Sequence, residues 1–497
     1  MRLSELTGCL PFYEIKGPES DPEILKVCHH HQDVEPGSLF TAIKGEKSDG
    51  RFYIDKAIEK GAAAVLSDTE YDLSVPLIIV RQPRHALAYI ANHFYDYPSF
   101  DLNVIGVTGT NGKTTVTHMV QSILESQGLK TGIIGTLYMK QGDRVMKAEN
   151  TTPDSLLLQQ TLSDFRAEGV QAAVLEASSH GLAQGRMYGC DVDIAIFTNL
   201  TQDHLDYHET MEHYKWSKTL LFSQLGHAHM KNLPKFAVLN HDDPFSGEIA
   251  AATSAHIITY GLTPEADIYA ENIIQYKEST SFTLCTPYGK ADIQLKLAGL
   301  FNVYNALAAA AAGFVKRIPI EFIVKGLENL TGVPGRFEIV KHDGSFTVIV
   351  DYAHTPDSLQ NILQAANKMN PEKLTVIVGC GGDRDRAKRP VMARIACQFA
   401  DHAIFTSDNP RSEDPKKILR DMEKGVHGQQ YTSIEDRRAA IRYAINNASA
   451  GEIIIIAGKG HEKYQIIKNE KIPFDDKSVA ESFLNKSQLE NGVDLPN

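Results

Sequence analysis

The chain has 497 residues, of which 42% are apolar and 23% charged, and a formal net charge of −12. At roughly 150 residues per domain this length exceeds one ordinary core and points to about three. The acidic balance argues against general nucleic-acid binding, and no apolar run approaches the ~18 residues that a membrane span needs. The start, MRLSELTGCLPFYEIKG, lacks the basic and apolar segments of an export signal, so the expected location is the cytoplasm. Six cysteines (Cys9, Cys28, Cys190, Cys285, Cys380, Cys397) form no CxxC pair and read as reduced thiols.

In chain order, residues 1–100 alternate short apolar runs (Ala62–Leu66, Leu77–Val80) with a helical pattern ending near Tyr97-Pro98. Within them His29-His30-His31 reads as a solvated turn rather than a metal site. Residues 101–333 open on a strand at Val104–Val107 and continue through Ala172–Leu175 and Ile194–Phe197. They close on an alanine-rich helix, Asn305–Lys316, stopped by Pro319. Residues 334–497 carry further β-branched runs at Phe346–Val350, Leu374–Val378, Ala403–Thr406 and Ile453–Ala457. Apolar strands alternating with helices predict parallel sheets covered on both faces, with chemistry where strands end. The expected fold is α/β in three domains: an N-terminal domain, a central phosphate-loop ATPase domain with a parallel-sheet core, and a C-terminal Rossmann-like domain.

The most informative segment is Gly109-Thr-Asn-Gly-Lys-Thr-Thr115, directly after the strand and before a helical pattern. Its glycines let backbone N–H groups wrap phosphate oxygens, and the helix N-terminus adds a positive dipole end. Lys113 reaches toward the β- and γ-phosphates and Thr114 offers a hydroxyl to Mg²⁺. The longer GxxxxGK pattern would need glycine at position 107, which is Val107 here. Glu176 follows Ala172–Leu175 and His204 follows Ile194–Phe197, so a carboxylate and an imidazole flank the loop. Each could serve Mg²⁺, but taken alone each is more often structural, Glu176 as a helix cap and His204 as a structural histidine.

The blocks TGTNGKTT, TTPDS, EASSHGLAQGR, TNLTQDHLDYH, MEHYKWSK, GLFNVYNALAA, GRFE, DYAHTPD, GCGGDRDRAKRP, DNPRSEDP and GKGHE occur in that order over nearly the whole chain. In this the chain resembles the Mur ligases of bacterial cell-wall synthesis, and within them the branch that adds diaminopimelate. The resemblance implies an ATP-dependent ligase joining meso-2,6-diaminopimelate to the D-Glu carboxylate of UDP-N-acetylmuramoyl-L-Ala-D-Glu through an acyl phosphate. ATP would be a co-substrate, Mg²⁺ the cofactor, and the partners these small molecules alone, the enzyme being a monomer free of nucleic acid and membrane.

The same resemblance assigns roles. Lys113, Glu176, His204 and Lys218 would be catalytic, with Thr114, Glu176, His204 and Lys218 as metal ligands. Lys218, by itself a surface helix lysine, would act as a carbamate, since carbamoylation turns a cation into an anion. ATP would be held by Gly109, Thr110, Asn111, Gly112, Lys113, Thr114 and Thr115, then by Asn305, Arg336, Asp351 and His354. The UDP-sugar dipeptide would meet Glu46, Lys47, Ser48, Asn150, Thr151, Thr152, Ser178, Gln184 and Arg186. Diaminopimelate would meet Arg384, Asp408, Asn409, Pro410, Arg411, Gly458 and Glu462. Arg411 offers a planar fork for the second α-carboxylate that lysine lacks; the alternative is a local pair with Glu413 or Asp414.

The chain departs from the family pattern near its N-terminus. Where close relatives carry an Asp-Ser-Arg block whose serine helps to hold uridine, it reads Val27-Cys-His-His-His-Gln-Asp33. This opens an alternative: a paralogous ligase of the same chemistry for another amino acid and another carboxylate. A catalytically idle relative would have lost metal and phosphate residues, yet Lys113, Thr114, Glu176, His204 and Lys218 are all present.

Overall fold

The computed structural model describes residues 1–45, 48–226, 234–468 and 470–491. Three sheets organise them. The first is five-stranded, in the order Glu14–Lys16, Leu77–Ile79, Ala62–Ser67, Ser38–Thr41, Lys26–Cys28, with only the first pair antiparallel. The helix Pro83–Phe94, started by a proline that needs no N–H there, packs Ala86, Leu87 and Ile90 into its core.

The central sheet has eleven strands, of which seven neighbours run parallel. The alternation within single strands explains why both faces are covered. In Asn103–Thr108, Ile105 and Val107 enter one core with the helices Lys113–Ser126 and Leu300–Val315. Val104 enters the opposite core with Ser155–Ala167 and Met211–Ser223. The same split recurs in Ala172–Glu176 and Ile194–Phe197.

Sequence patterns missed the ends of this sheet. Thr280–Thr286 and Gly289–Leu295 extend it antiparallel beyond Ile268–Gln275, and the hairpin Met139–Gln141/Arg144–Met146 extends the other edge. The alanine-rich helix also begins earlier than expected, at Leu300. Gly299, at φ 95°, turns the chain, and the Asn302 side chain donates to the Ala298 carbonyl at 2.8 Å. Asn305 is therefore buried in the second turn and is no cap.

The third sheet runs Glu338–Val340, Thr347–Asp351, Glu452–Ala457, Lys373–Val378, His402–Phe405, Tyr431–Ser433, parallel except for its first pair. Helices Pro356–Lys368 and Lys388–Phe399 cover one face, and Arg437–Asn446 with Asp476–Asn491 the other. Among the described residues no helix is long and apolar enough to cross a membrane.

Arg437 and Asp476 tie the last helix to the domain. Both are fully buried, and the guanidinium reaches the carboxylate through two hydrogen bonds of 2.7 and 2.6 Å. Removing one member leaves an uncompensated buried charge. Asp476→Ala is therefore expected to lower unfolding free energy by about 3 kcal/mol, read from the denaturant midpoint; an unchanged midpoint would refute this.

Candidate active site

The phosphate loop lies where Asn103–Thr108 ends. Gly109 (φ 145°) and Gly112 (φ 88°) turn it, and a β-carbon at either would run into a neighbour: the Thr198 hydroxyl or the Asn305 side chain. Val107 pairs with Glu176 and Ile196 inside the sheet, so the position is strand and needs no glycine. The loop is held from outside. Thr198 Oγ1 donates to the Asn111 carbonyl at 2.6 Å, Asn199 Oδ1 accepts from Asn111 N at 2.9 Å, and Asn199 O accepts from Thr110 N at 2.8 Å. Lys113 Nζ donates to the Gly109 and Thr110 carbonyls, both at 2.9 Å. Burial lowers its pKa, as does repulsion from Arg336, while Glu176 acts the other way.

Glu176, 1% exposed, sits at the carboxyl end of its strand. It accepts from Thr114 Oγ1 at 3.0 Å, from Thr136 N at 2.8 Å and from Thr136 Oγ1 at 2.9 Å. Arg336, arriving from beyond the central domain's last helix, donates to Thr114 Oγ1 at 2.9 Å. Thr136 carried no sequence signal. Its role follows only from the sheet placing it beside Glu176.

Lys218 is a correction to the sequence-only reading of a surface lysine: it is 1% exposed. Its ammonium lies over the Tyr214 ring at 4.5 Å and donates to Gly109 O at 2.8 Å. Burial and then the Lys113 charge push its pKa well below the usual lysine value. A periodicity argument could not find this, because the helix packs its lysine side against the phosphate loop. On the same helix Trp216 stacks on His213 at 5.5 Å. His204, in a left-handed conformation (φ 55°), faces His180 at 4.8 Å between ring centroids, with its Nε2 3.3 Å from Asp203 Oδ2.

A cavity of about 420 Å³ opens over these groups. It is lined by Thr110–Thr115, Glu176, His204 and Lys218, and by Asn305, Arg336, Asp351 and His354. The central and C-terminal sheets meet across it: Asn111 Nδ2 donates to Asp357 Oδ2 at 2.8 Å, and His354 Nε2 lies 3.5 Å from Asp203 Oδ2. Asp351 accepts from the Phe337 and Ala353 amides at 2.6 and 2.7 Å, while burial raises its pKa. Thr151 and Ser178 line the same cavity, and Thr151 Oγ1 accepts from Thr136 at 3.1 Å.

A second cavity of about 420 Å³ collects Ser48, Asn150, Gln184 and Arg186 with all three histidines His29, His30 and His31. His31 stacks flat on Tyr53, with centroids 4.1 Å apart and planes at 4°. The histidine run is thus part of a cavity wall, where the sequence read a solvated turn. Arg186 donates to Gln184 Oε1 and to the Thr152 carbonyl at 2.7 Å, and Thr152 is buried, bonded to Ser178 N. Glu46 and Lys47 lie outside the described residues.

The proposed amino-acid residues gather at the carboxyl edge of the third sheet. Asn409 Nδ2 donates to Glu462 Oε2 at 2.9 Å, and a fully buried Lys459 donates to both Asn409 Oδ1 (3.0 Å) and Glu462 Oε2 (2.9 Å). Lys459 was missed although it stands inside the GKGHE block. Gly458 leaves room for Asp408, whose carboxylate a β-carbon there would meet at 2.7 Å. Arg384 comes within 3.9 Å of Asp206. Arg411, at φ 51° after Pro410, donates to the Gly382 carbonyl at 2.8 Å. It does not take up the local pair: Glu413 is held by Arg389 and Arg386, and Asp414 lies nearest Arg420. The Tyr352 ring contacts both Arg336, at 4.5 Å, and His461, at 5.1 Å.

Three family models match the chain: the Mur ligase family catalytic domain over residues 32–95, the Mur ligase middle domain over 107–313, and the Mur ligase glutamate ligase domain over 335–460. The chain belongs to the Mur ligase family. Among relatives, it is 52% identical over 480 residues to UDP-N-acetylmuramoyl-L-alanyl-D-glutamate–2,6-diaminopimelate ligase of Bacillus velezensis, covering 97% of this chain and 98% of that one. The ligase of the same name from Halalkalibacterium halodurans is 52% identical over 463 residues, covering 93% and 95%. A solved structure of a protein so named aligns with a TM-score of 0.68 at 34% identity, covering 98% of this chain and all of that one.

In this Mur ligase the donor set fits a hard cation. The Thr114 hydroxyl and the Glu176 carboxylate are oxygen donors already in contact, as Mg²⁺ prefers. Among the described residues no group of three or more His, Cys, Asp or Glu side chains could hold a metal. Gly112→Ala is expected to weaken ADP binding by about a hundredfold in calorimetric titration, since the methyl group displaces Asn305 and strains a left-handed residue. Unchanged affinity would mean that the loop does not hold the nucleotide.

Proposed function

We propose that this Mur ligase adds meso-2,6-diaminopimelate to the D-Glu carboxylate of UDP-N-acetylmuramoyl-L-Ala-D-Glu, with cleavage of ATP to ADP and phosphate, in peptidoglycan precursor synthesis. The observation that carries the amino-acid choice is Arg411, a half-buried guanidinium that, among the described residues, forms no ion pair, its neighbours in sequence Glu413 and Asp414 facing other arginines. A planar fork not closed by an ion pair suits a second α-carboxylate, which lysine as a substrate does not have. We take the domains as 1–100, 101–333 and 334–497, and the enzyme as a cytoplasmic monomer.

The mechanism follows from positioning and charge. A carboxylate oxygen of the substrate attacks the γ-phosphorus, ADP departs, and an acyl phosphate forms. The amine of diaminopimelate then attacks the carbonyl carbon, loses a proton, and phosphate leaves. The phosphate-loop amides and Lys113 hold the β- and γ-phosphates and offset their charge. Asn305, Arg336, Asp351 and His354 bring the nucleotide against the third sheet. Thr114 and Glu176, and His204 with carbamoylated Lys218, would hold Mg²⁺, which would supply further charge neutralisation. The depressed pKa of Lys218 supports that modification, because only a neutral amine adds to CO₂. Closure of the central and C-terminal domains keeps water from the acyl phosphate. Thr151, Thr152, Ser178, Gln184 and Arg186 hold the peptide end, and the second cavity takes the UDP end.

One observation favours a second reading, a Mur-type ligase for a different carboxylate and amino acid: the His31–Tyr53 stack in the second cavity, in the stretch where the family resemblance leads one to expect a serine at His30 or His31. Phosphate release separates the two. With ATP, Mg²⁺ and UDP-N-acetylmuramoyl-L-Ala-D-Glu, turnover is expected with diaminopimelate and not with lysine or without amino acid, and Lys113→Ala should abolish it. No release with any amino acid, in protein that binds ADP, would transfer the case to the second reading. Arg411→Ala should raise the diaminopimelate KM by about a hundredfold and leave the ATP KM unchanged; equal effects on both would remove its role.

A further inference from the structure

Arg411 precedes Glu413 by two residues, and an acid so close is the ordinary partner of a loop arginine. In this fold Glu413 is turned away and fully engaged. Its Oε1 accepts from Arg389 Nη2 at 2.8 Å and from the Asp383 amide at 2.7 Å. Its Oε2 accepts from Arg389 Nη1 at 3.1 Å, with Arg386 at 3.2 Å. Arg389 itself is 0% exposed and sends its fork onward to Asp421 at 3.0 Å and the Gly381 carbonyl at 3.3 Å. Hydrogen bonding from Arg389 draws the Glu413 carboxyl down to about 2, so it stays ionised at any working pH.

The Gly381–Asp383 turn touches both side chains. The Gly382 carbonyl accepts from Arg411 Nη1 at 2.8 Å, and a β-carbon on Gly382 would meet Glu413 Cβ at 3.2 Å. Asp408, Glu462 and Asp383 attract Arg411 through space without an ion pair. An ionised carboxylate held on the same turn as a guanidinium with no ion pair is a built-in competitor for that guanidinium. What prevents the competition is the buried fork of Arg389, which takes both Glu413 oxygens.

We propose that Arg389 is a specificity-determining positioning residue: by capturing Glu413 it keeps Arg411 free for the distal carboxylate of the incoming amino acid. This rests on the reading of Arg411 given above. Arg389 touches no substrate and acts through Glu413 and the Gly381–Asp383 turn.

Steady-state kinetics of the full-length enzyme test it, with Arg389→Gln, the charge-keeping Arg389→Lys, each combined with Glu413→Gln, and Arg411→Ala alongside. Arg389→Gln should raise the diaminopimelate KM by about tenfold and leave the ATP KM unchanged, and adding Glu413→Gln should return it to within about threefold of wild type. Arg389→Lys should fall between, and be rescued in the same way. A purely structural arginine predicts no such rescue. A double variant as impaired as the single one, a parallel rise in the ATP KM, or failure of both single variants to fold, judged by thermal melts, would each overturn the proposal. If Arg411→Ala leaves the diaminopimelate KM unchanged, the reading of Arg411 itself has failed, which is a separate outcome.

Discussion

The Gly109 carbonyl accepts from two ammonium groups at once, Lys113 at 2.9 Å and the buried Lys218 at 2.8 Å. Two like charges converging on one peptide oxygen cost free energy, and burial adds to that cost. The compensating carboxylates are Glu176, which acts on Lys113 and is enclosed by hydroxyls and an amide, and Asp203, which acts on both lysines. The centre is therefore short of negative charge. Phosphate groups remedy that shortage, and so does conversion of one lysine to a carbamate. Much of the surrounding structure serves to keep this arrangement dry and fixed: the Thr198-Asn199 clamp, the Tyr214 ring under Lys218, and the two left-handed glycines.

The C-terminal domain meets the loop with one group of each sign. It brings an arginine to Thr114 and an aspartate to the Asn111 side chain. The Tyr352 ring contacts both Arg336, which reaches Thr114 in the phosphate loop, and His461 in the GKGHE block, so one aromatic surface links the two groups of residues.

Legibility in the sequence followed the range of the physics. Strands buried on both faces were visible because their apolar runs are continuous, as in Ile194–Phe197 and Ile453–Ala457. The phosphate loop was visible because glycine spacing and a following lysine are local. The edge strands at 268–295 were not, since their pattern is half polar and one of them is bulged. Lys218 was misread without the family pattern because burial is a tertiary fact: the helix that carries it is amphipathic only weakly, and the phosphate loop supplies the missing face. Thr136 and Arg389 gave no signal, as each matters through a partner 40 or 24 residues away.

The helix that carries Lys218 has one more property. Trp216, two residues before it and stacked on His213, is the only tryptophan in the chain. Ultraviolet emission excited at the red edge of the protein band thus comes from a single indole on a single turn, with no second emitter to average it out. Charge reversal at the neighbouring amine, or any shift of this turn against the phosphate loop, alters the field and stacking around that indole. The protein carries its own optical probe two residues from the lysine that is buried against the phosphate loop.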